Sequence, residues 1–92
     1  MLRVYKYSVP VEDYFGLDLP QGSKILTVQV QYGEPQIWAL VNAQTQVVET
    51  RQFRVAGTGH PIEESEDELT YIGTFQLSGG GFIGHLFEVT GK

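Results

Sequence analysis

Lys24-Ile25-Leu26-Thr27-Val28-Gln29-Val30-Gln31-Tyr32 sets Leu26, Val28, Val30 and Tyr32 on one side of an extended chain and Thr27, Gln29 and Gln31 on the other. A side-chain period of two belongs to a strand with one dry and one wet face. Tyr32-Gly33 makes a tight connection, and Pro35 to Val41 returns as the partner strand. Ile37, Trp38, Ala39, Leu40 and Val41 run without a polar break, so this strand is expected to be covered at least partly on both faces.

The same signals recur on either side. Val4 to Val9 alternates Tyr5, Tyr7 and Val9 with Lys6 and Ser8, and Pro10 ends it. Asp13 to Leu19 is a short second strand before the turn Pro20-Gln21-Gly22-Ser23. Val47 to Val55 points Phe53 and Val55 inward and Gln52 and Arg54 outward. Tyr71 to Leu77 keeps Tyr71, Phe75 and Leu77 in phase, and Phe82 to Val89 is apolar on both faces. Helix signals are nearly absent. The expected fold is all-β: a small antiparallel sandwich or barrel of six to seven short strands, joined mostly by sequential hairpins. A length of 92 residues suits one domain over 1–92.

Composition narrows the function classes. There is no cysteine, which excludes disulfides, thiolate metal sites and thiol nucleophiles and favours a reducing interior. No run approaches the 18 apolar residues of a membrane span, and the start has no signal-peptide core, so the expectation is a cytoplasmic protein without membrane contact. The net charge is −5. Glu63, Glu64, Glu66, Asp67 and Glu68 supply five of the eleven acids, so the other six acids cancel the six bases. The reading is an acidic loop over 63–70 on a neutral body. Such a surface repels phosphate backbones and disfavours direct nucleic-acid binding, while the loop suits a basic patch on a protein partner.

Two glycine-rich segments could carry chemistry. Gly79-Gly80-Gly81-Phe82-Ile83-Gly84 matches the dinucleotide fingerprint in letters, but a strand follows where that motif needs a helix. Gly57-Thr58-Gly59-His60-Pro61 is the better candidate. Its glycines let backbone N–H groups converge on an anion, Thr58 and His60 add donors, and Arg51 and Arg54 lie just upstream. The bland alternative is a turn in which His60 caps or packs. His60 and His85 are the only histidines, and nothing in their spacing imposes a metal site. His85 shares a face with Ile83 and Phe87. No nucleophile elbow and no split pair of carboxylates is present, so no catalytic residue, cofactor or metal is assigned.

Val4-Tyr5-Lys6-Tyr7, Pro20-Gln21-Gly22-Ser23-Lys24-Ile25-Leu26, Ile37-Trp38-Ala39-Leu40-Val41, Arg51-Gln52-Phe53-Arg54-Val55, Gly57-Thr58-Gly59-His60-Pro61-Ile62, Tyr71-Ile72-Gly73-Thr74-Phe75-Gln76-Leu77 and His85-Leu86-Phe87-Glu88 together resemble a family of small phage and bacterial proteins described as a domain of unknown function. The Gly-Thr-Gly-His-Pro loop is the most specific piece. The resemblance implies a stand-alone domain in a bacterial cytoplasm, delivered by a phage, and carries no family activity with it; small acidic phage proteins as a class often act by attaching to host or defence components. The functional expectation is a non-catalytic protein that works by contact with another macromolecule. A small anionic-ligand binder using the 57–61 loop is the alternative, and a virion or assembly component a third. A homodimer that covers Ile37–Val41 or Phe82–Val89 is also expected, because a small sheet does not readily cover both faces of two strands.

Overall fold

The structure is a computed structural model that describes residues 1–91. Seven strands form two antiparallel sheets in a sandwich: β1 Leu2–Ser8, β2 Tyr14–Pro20, β3 Lys24–Gln31, β4 Glu34–Asn42, β5 Val48–Gly57, β6 Leu69–Leu77 and β7 Phe82–Val89. The first sheet has the order β1-β4-β3 and the second β2-β5-β7-β6. Only β3–β4 and β6–β7 are hairpins. The chain instead pairs β1 with β4 and β2 with β5, so the layers are stitched by long-range pairing rather than by a run of sequential hairpins.

Val9, Phe15, Leu19, Val28, Ile37, Phe53, Val55, Phe75 and Leu86 fill the space between the sheets. Each such side chain, once buried, contributes about 1.5–3 kcal/mol. Phe15 stacks on Phe53 at 5.1 Å between ring centres, locking edge strand β2 to β5. β3 lies against β6 where Gly73 faces Val28. A Cβ on Gly73 would stand 2.8 Å from Val28 Cγ1, so glycine is what lets the sheets approach there.

Two bulges change the phase expected from simple alternation. One falls between Ile25 and Thr27, so Ile25 and Val28 point inward while Leu26 is exposed. Val30 lies near the hairpin end of β3 and is also exposed. The other falls between Tyr71 and Gly73, turning Tyr71 to the outer face although Phe75 stays in the core. An inserted residue reverses the faces of everything before it, which plain period-two reading misses.

The strands β4 and β7, each with a neighbour on either side, carry apolar residues on both faces. Lys6 lies over the Trp38 ring at 5.8 Å, and Tyr71 lies beside Phe87 at 5.6 Å. The monomer's own side chains thus cover part of both outer faces.

Candidate functional site

β1 is the least supported element. It pairs residue by residue with β4, from Leu2 opposite Asn42 to Ser8 opposite Gln36, and no strand among the described residues pairs with its other edge. Arg3, Tyr5 and Tyr7 share a face with the buried Val41, Ala39 and Ile37. Only Tyr7 packs against the core, and burial there lifts its hydroxyl pKa above the ordinary value, with a smaller push from Tyr5. Arg3 and Tyr5 stay exposed. On the other face Leu2 is 65% and Val4 55% exposed. A seven-residue strand therefore offers an open edge and two wet faces. Exposed edges of this kind are templates for a further strand unless something blunts them.

A second feature lies between β3 and β6. Ser23, Ile25, Leu26, Arg51, Thr70, Ile72 and Glu88 line an open cavity of about 370 Å³. Both bulges open onto it. Arg51 Nε and Nη2 bind the Glu88 carboxylate at 2.6 and 2.8 Å, and Nη1 donates to the Ser23 carbonyl. The pair raises the Arg51 pKa above its ordinary value, chiefly through the hydrogen bond to Glu88, against the opposing cost of burial. With most of its donors engaged, Arg51 acts as a strut across the cavity floor.

The loop Gly57–Pro61 adopts the turn its glycines suggest: the His60 N–H donates to the Gly57 carbonyl, and Gly59 has φ +85°. The His60 ring packs on Gly57, 3.2 Å from where a Cβ would stand. Gly57, Thr58, His60, Gly80, Gly81 and Phe82 border an open hollow of about 270 Å³, so the fold brings the two glycine-rich segments together. Neither arginine lines that hollow. Arg51 faces the sheet interface beside Glu88, and Arg54 points to the opposite face of β5. Arg54 holds the loop from outside, donating to the carbonyls of Pro61 at 3.0 Å and Val55 at 3.1 Å and lying 4.9 Å over the Tyr14 ring. Its carboxylate partner is Asp13, at 3.5 Å.

The acidic segment is also tied down. Glu66–Glu68 form one 3-10 turn capped by Ser65, whose N–H and hydroxyl both donate to the Glu68 carboxylate. The Glu68 carbonyl accepts from Thr90 and Gly91, and the Tyr14 hydroxyl donates to Glu64 at 2.7 Å. Leu69 and Thr70 already belong to β6, so the loop ends earlier than the 63–70 read from the sequence. Glu63, Glu66 and Asp67 point to solvent.

A family model described as a domain of unknown function, DUF7352, matches residues 1–92. The chain belongs to that family. No curated protein and no solved structure matches it.

Two features of this DUF7352 domain escaped the sequence reading. His85 sits on the outer face of β7 in a chain of side chains: Nε2 to Thr58 Oγ1 at 2.7 Å, Nδ1 to Thr74 Oγ1 at 2.9 Å, and Thr74 Oγ1 to the Tyr71 hydroxyl at 2.6 Å. It ties the 57–61 loop to β6 and β7. Among the described residues, no three His, Asp or Glu side chains converge as a metal site, and no helix is long and apolar enough to cross a membrane. The second feature is electrostatic. The strands of the first sheet hold Arg3, Lys6 and Lys24 against a single acid, Glu34. The other ten acids lie in the second sheet and the connections. The body is neutral in sum, but its bases and acids are unevenly divided between the two layers.

Proposed function

We propose that this DUF7352 domain is a non-catalytic binding module that works by contact with another protein, and that β1 is the contact. The observation that carries this reading is the strand's exposure. β1 is hydrogen-bonded along one edge and leaves Leu2, Val4 and Tyr5 in water. Strand addition at such an edge gives affinity through main-chain hydrogen bonds and selectivity through side chains on alternate faces. A phage-encoded role in a bacterial cytoplasm, directed at a host or defence component, belongs to the same reading and rests on the sequence resemblance.

The test compares capture from a bacterial lysate by the native chain and by a Val4→Lys, Tyr5→Lys variant whose melting temperature is retained. A protein captured by the native chain alone, which also slows hydrogen exchange of the β1 amides, supports the reading. Equal capture by both chains with unchanged β1 exchange overturns it.

A second reading, a small-ligand site, is favoured by the 370 Å³ cavity, whose volume lies in the range of ligand pockets and whose walls are two bulges and an ion pair. It replaces the anion site expected at Gly57–His60, whose hollow neither arginine lines. Thermal-shift screening separates the readings. A compound that raises the melting temperature by several degrees, and does so less for Ile72→Trp, supports the cavity. Compounds that act equally on both chains do not.

A further inference from the structure

The division of charge says what kind of segment β1 is suited to take, given that it is a contact at all. Arg3 and Lys6 are one-sided charges. Among the described residues the ion pairs belong to Arg51 and Arg54, both on β5 in the second sheet. The hydrogen bonds of Arg3 and Lys6 go to uncharged acceptors, Met1 Sδ and Gln31 Oε1. Lys24, on the same face as Lys6, has no acid partner there either. The domain as a whole is acidic, yet every base of the first sheet is left without a counter-charge while ten acids sit elsewhere.

Self-pairing of β1 with a second copy would set two Arg3 and two Lys6 side chains on adjacent strands with no acid between them. Like charges facing each other across strands are destabilising, so this edge is poorly suited to a homodimer. A polyanion such as nucleic acid would meet the cations but has no peptide groups to satisfy the open backbone edge.

We infer that β1 receives an extended acidic segment of another protein as an added strand. The inference rests on the reading of β1 as a contact and adds its chemistry. On β1, Arg3 and Lys6 are three residues apart and therefore on opposite faces. A strand laid alongside meets both cations when its own acids are three apart, one on each face. The two positions between them lie opposite Val4 and Tyr5 and favour β-branched or aromatic residues. The motif is acid–apolar–apolar–acid within an extended run.

The experiment pans a displayed library of random twelve-residue peptides on the full chain at low salt. It then measures affinity and β1 hydrogen exchange for one synthesised peptide from the enriched set. The expected set carries acids three apart. The peptide slows β1 exchange, weakens severalfold between about 50 and 300 mM salt, and weakens about tenfold on an Arg3→Gln, Lys6→Gln chain of unchanged melting temperature. Enriched peptides without acids that still protect β1 overturn the inference and leave the contact reading standing. Peptides that protect other strands, or no enrichment at all, overturn both. Displacement of the peptide by an oligonucleotide that leaves β1 amides unprotected assigns the cations to a phosphate backbone and also overturns the inference.

Discussion

At the scale of single residues, three places concentrate the consequences of packing. Gly84 lies under the Phe75 ring, with the site of a Cβ only 2.5 Å from Phe75 Cζ. Gly84→Ala should therefore destabilise the fold by about 1–3 kcal/mol, the usual cost of overpacking. Urea denaturation should show a lower midpoint at unchanged slope. Arg51 and Glu88 form a two-point ion pair with most of their surface removed from water. Glu88→Gln leaves the guanidinium short of its counter-charge and should cost up to about 3 kcal/mol, whereas Arg51→Met with Glu88→Leu should recover much of that loss. A double-mutant cycle measures both. Tyr14 is a pH reporter. Its hydrogen bond to Glu64, then burial and the negative charge nearby, lift its pKa above 10, partly opposed by Arg54. A raised folded-state pKa gives stability that is complete below the unfolded value near 10 and is lost as pH climbs through the folded value. Native chain and Tyr14→Phe should therefore differ in stability at pH 8, and the difference should shrink as pH rises above 10.

At the scale of elements, the β3–β4 hairpin turns on Tyr32 and Gly33, with φ of +53° and +79°. Two positive values define the turn that matches strand twist, and asparagine suits its first position better than tyrosine. Tyr32 is 95% exposed and gives up no packing. Tyr32→Asn should raise stability by up to about 1 kcal/mol, read as a higher melting temperature. This hairpin also marks how far the sequence could be read. Alternation in Lys24–Gln31 and the unbroken Ile37–Val41 run revealed strands and turns, because period two is a local property. The bulges at Leu26 and Ile72 were invisible, since an extra residue shows only against a partner strand. The separation of Arg51 from Arg54 was half legible: their spacing of three puts them on opposite faces of any strand. Which face met Glu88 depended on long-range register. The open edge of β1 was not legible, because Tyr5, Tyr7 and Val9 alternate as core residues do. Which of them the core reaches depends on the packing of the two sheets: Tyr7 and Val9 meet it, and Tyr5 stays exposed.

At the scale of the whole molecule, two layers with no α-helix among the described residues span 40 × 32 × 16 Å. Stability is spread across pairings between distant parts of the chain, a topology that folds in milliseconds to seconds rather than microseconds. The single tryptophan, Trp38 in the middle of β4, makes stopped-flow fluorescence the natural measurement, and a microsecond phase carrying the full amplitude would contradict this expectation. The pairing of β1 with β4 bears on biosynthesis as well. Ser8 meets Gln36 and Leu2 meets Asn42, so the first strand leaves the ribosome well before its mate exists. At about 5–20 residues per second the nascent strand waits on the order of seconds. Throughout that interval its apolar side chains are available to nascent-chain chaperones or to neighbouring nascent chains, and the rate of translation becomes a determinant of yield.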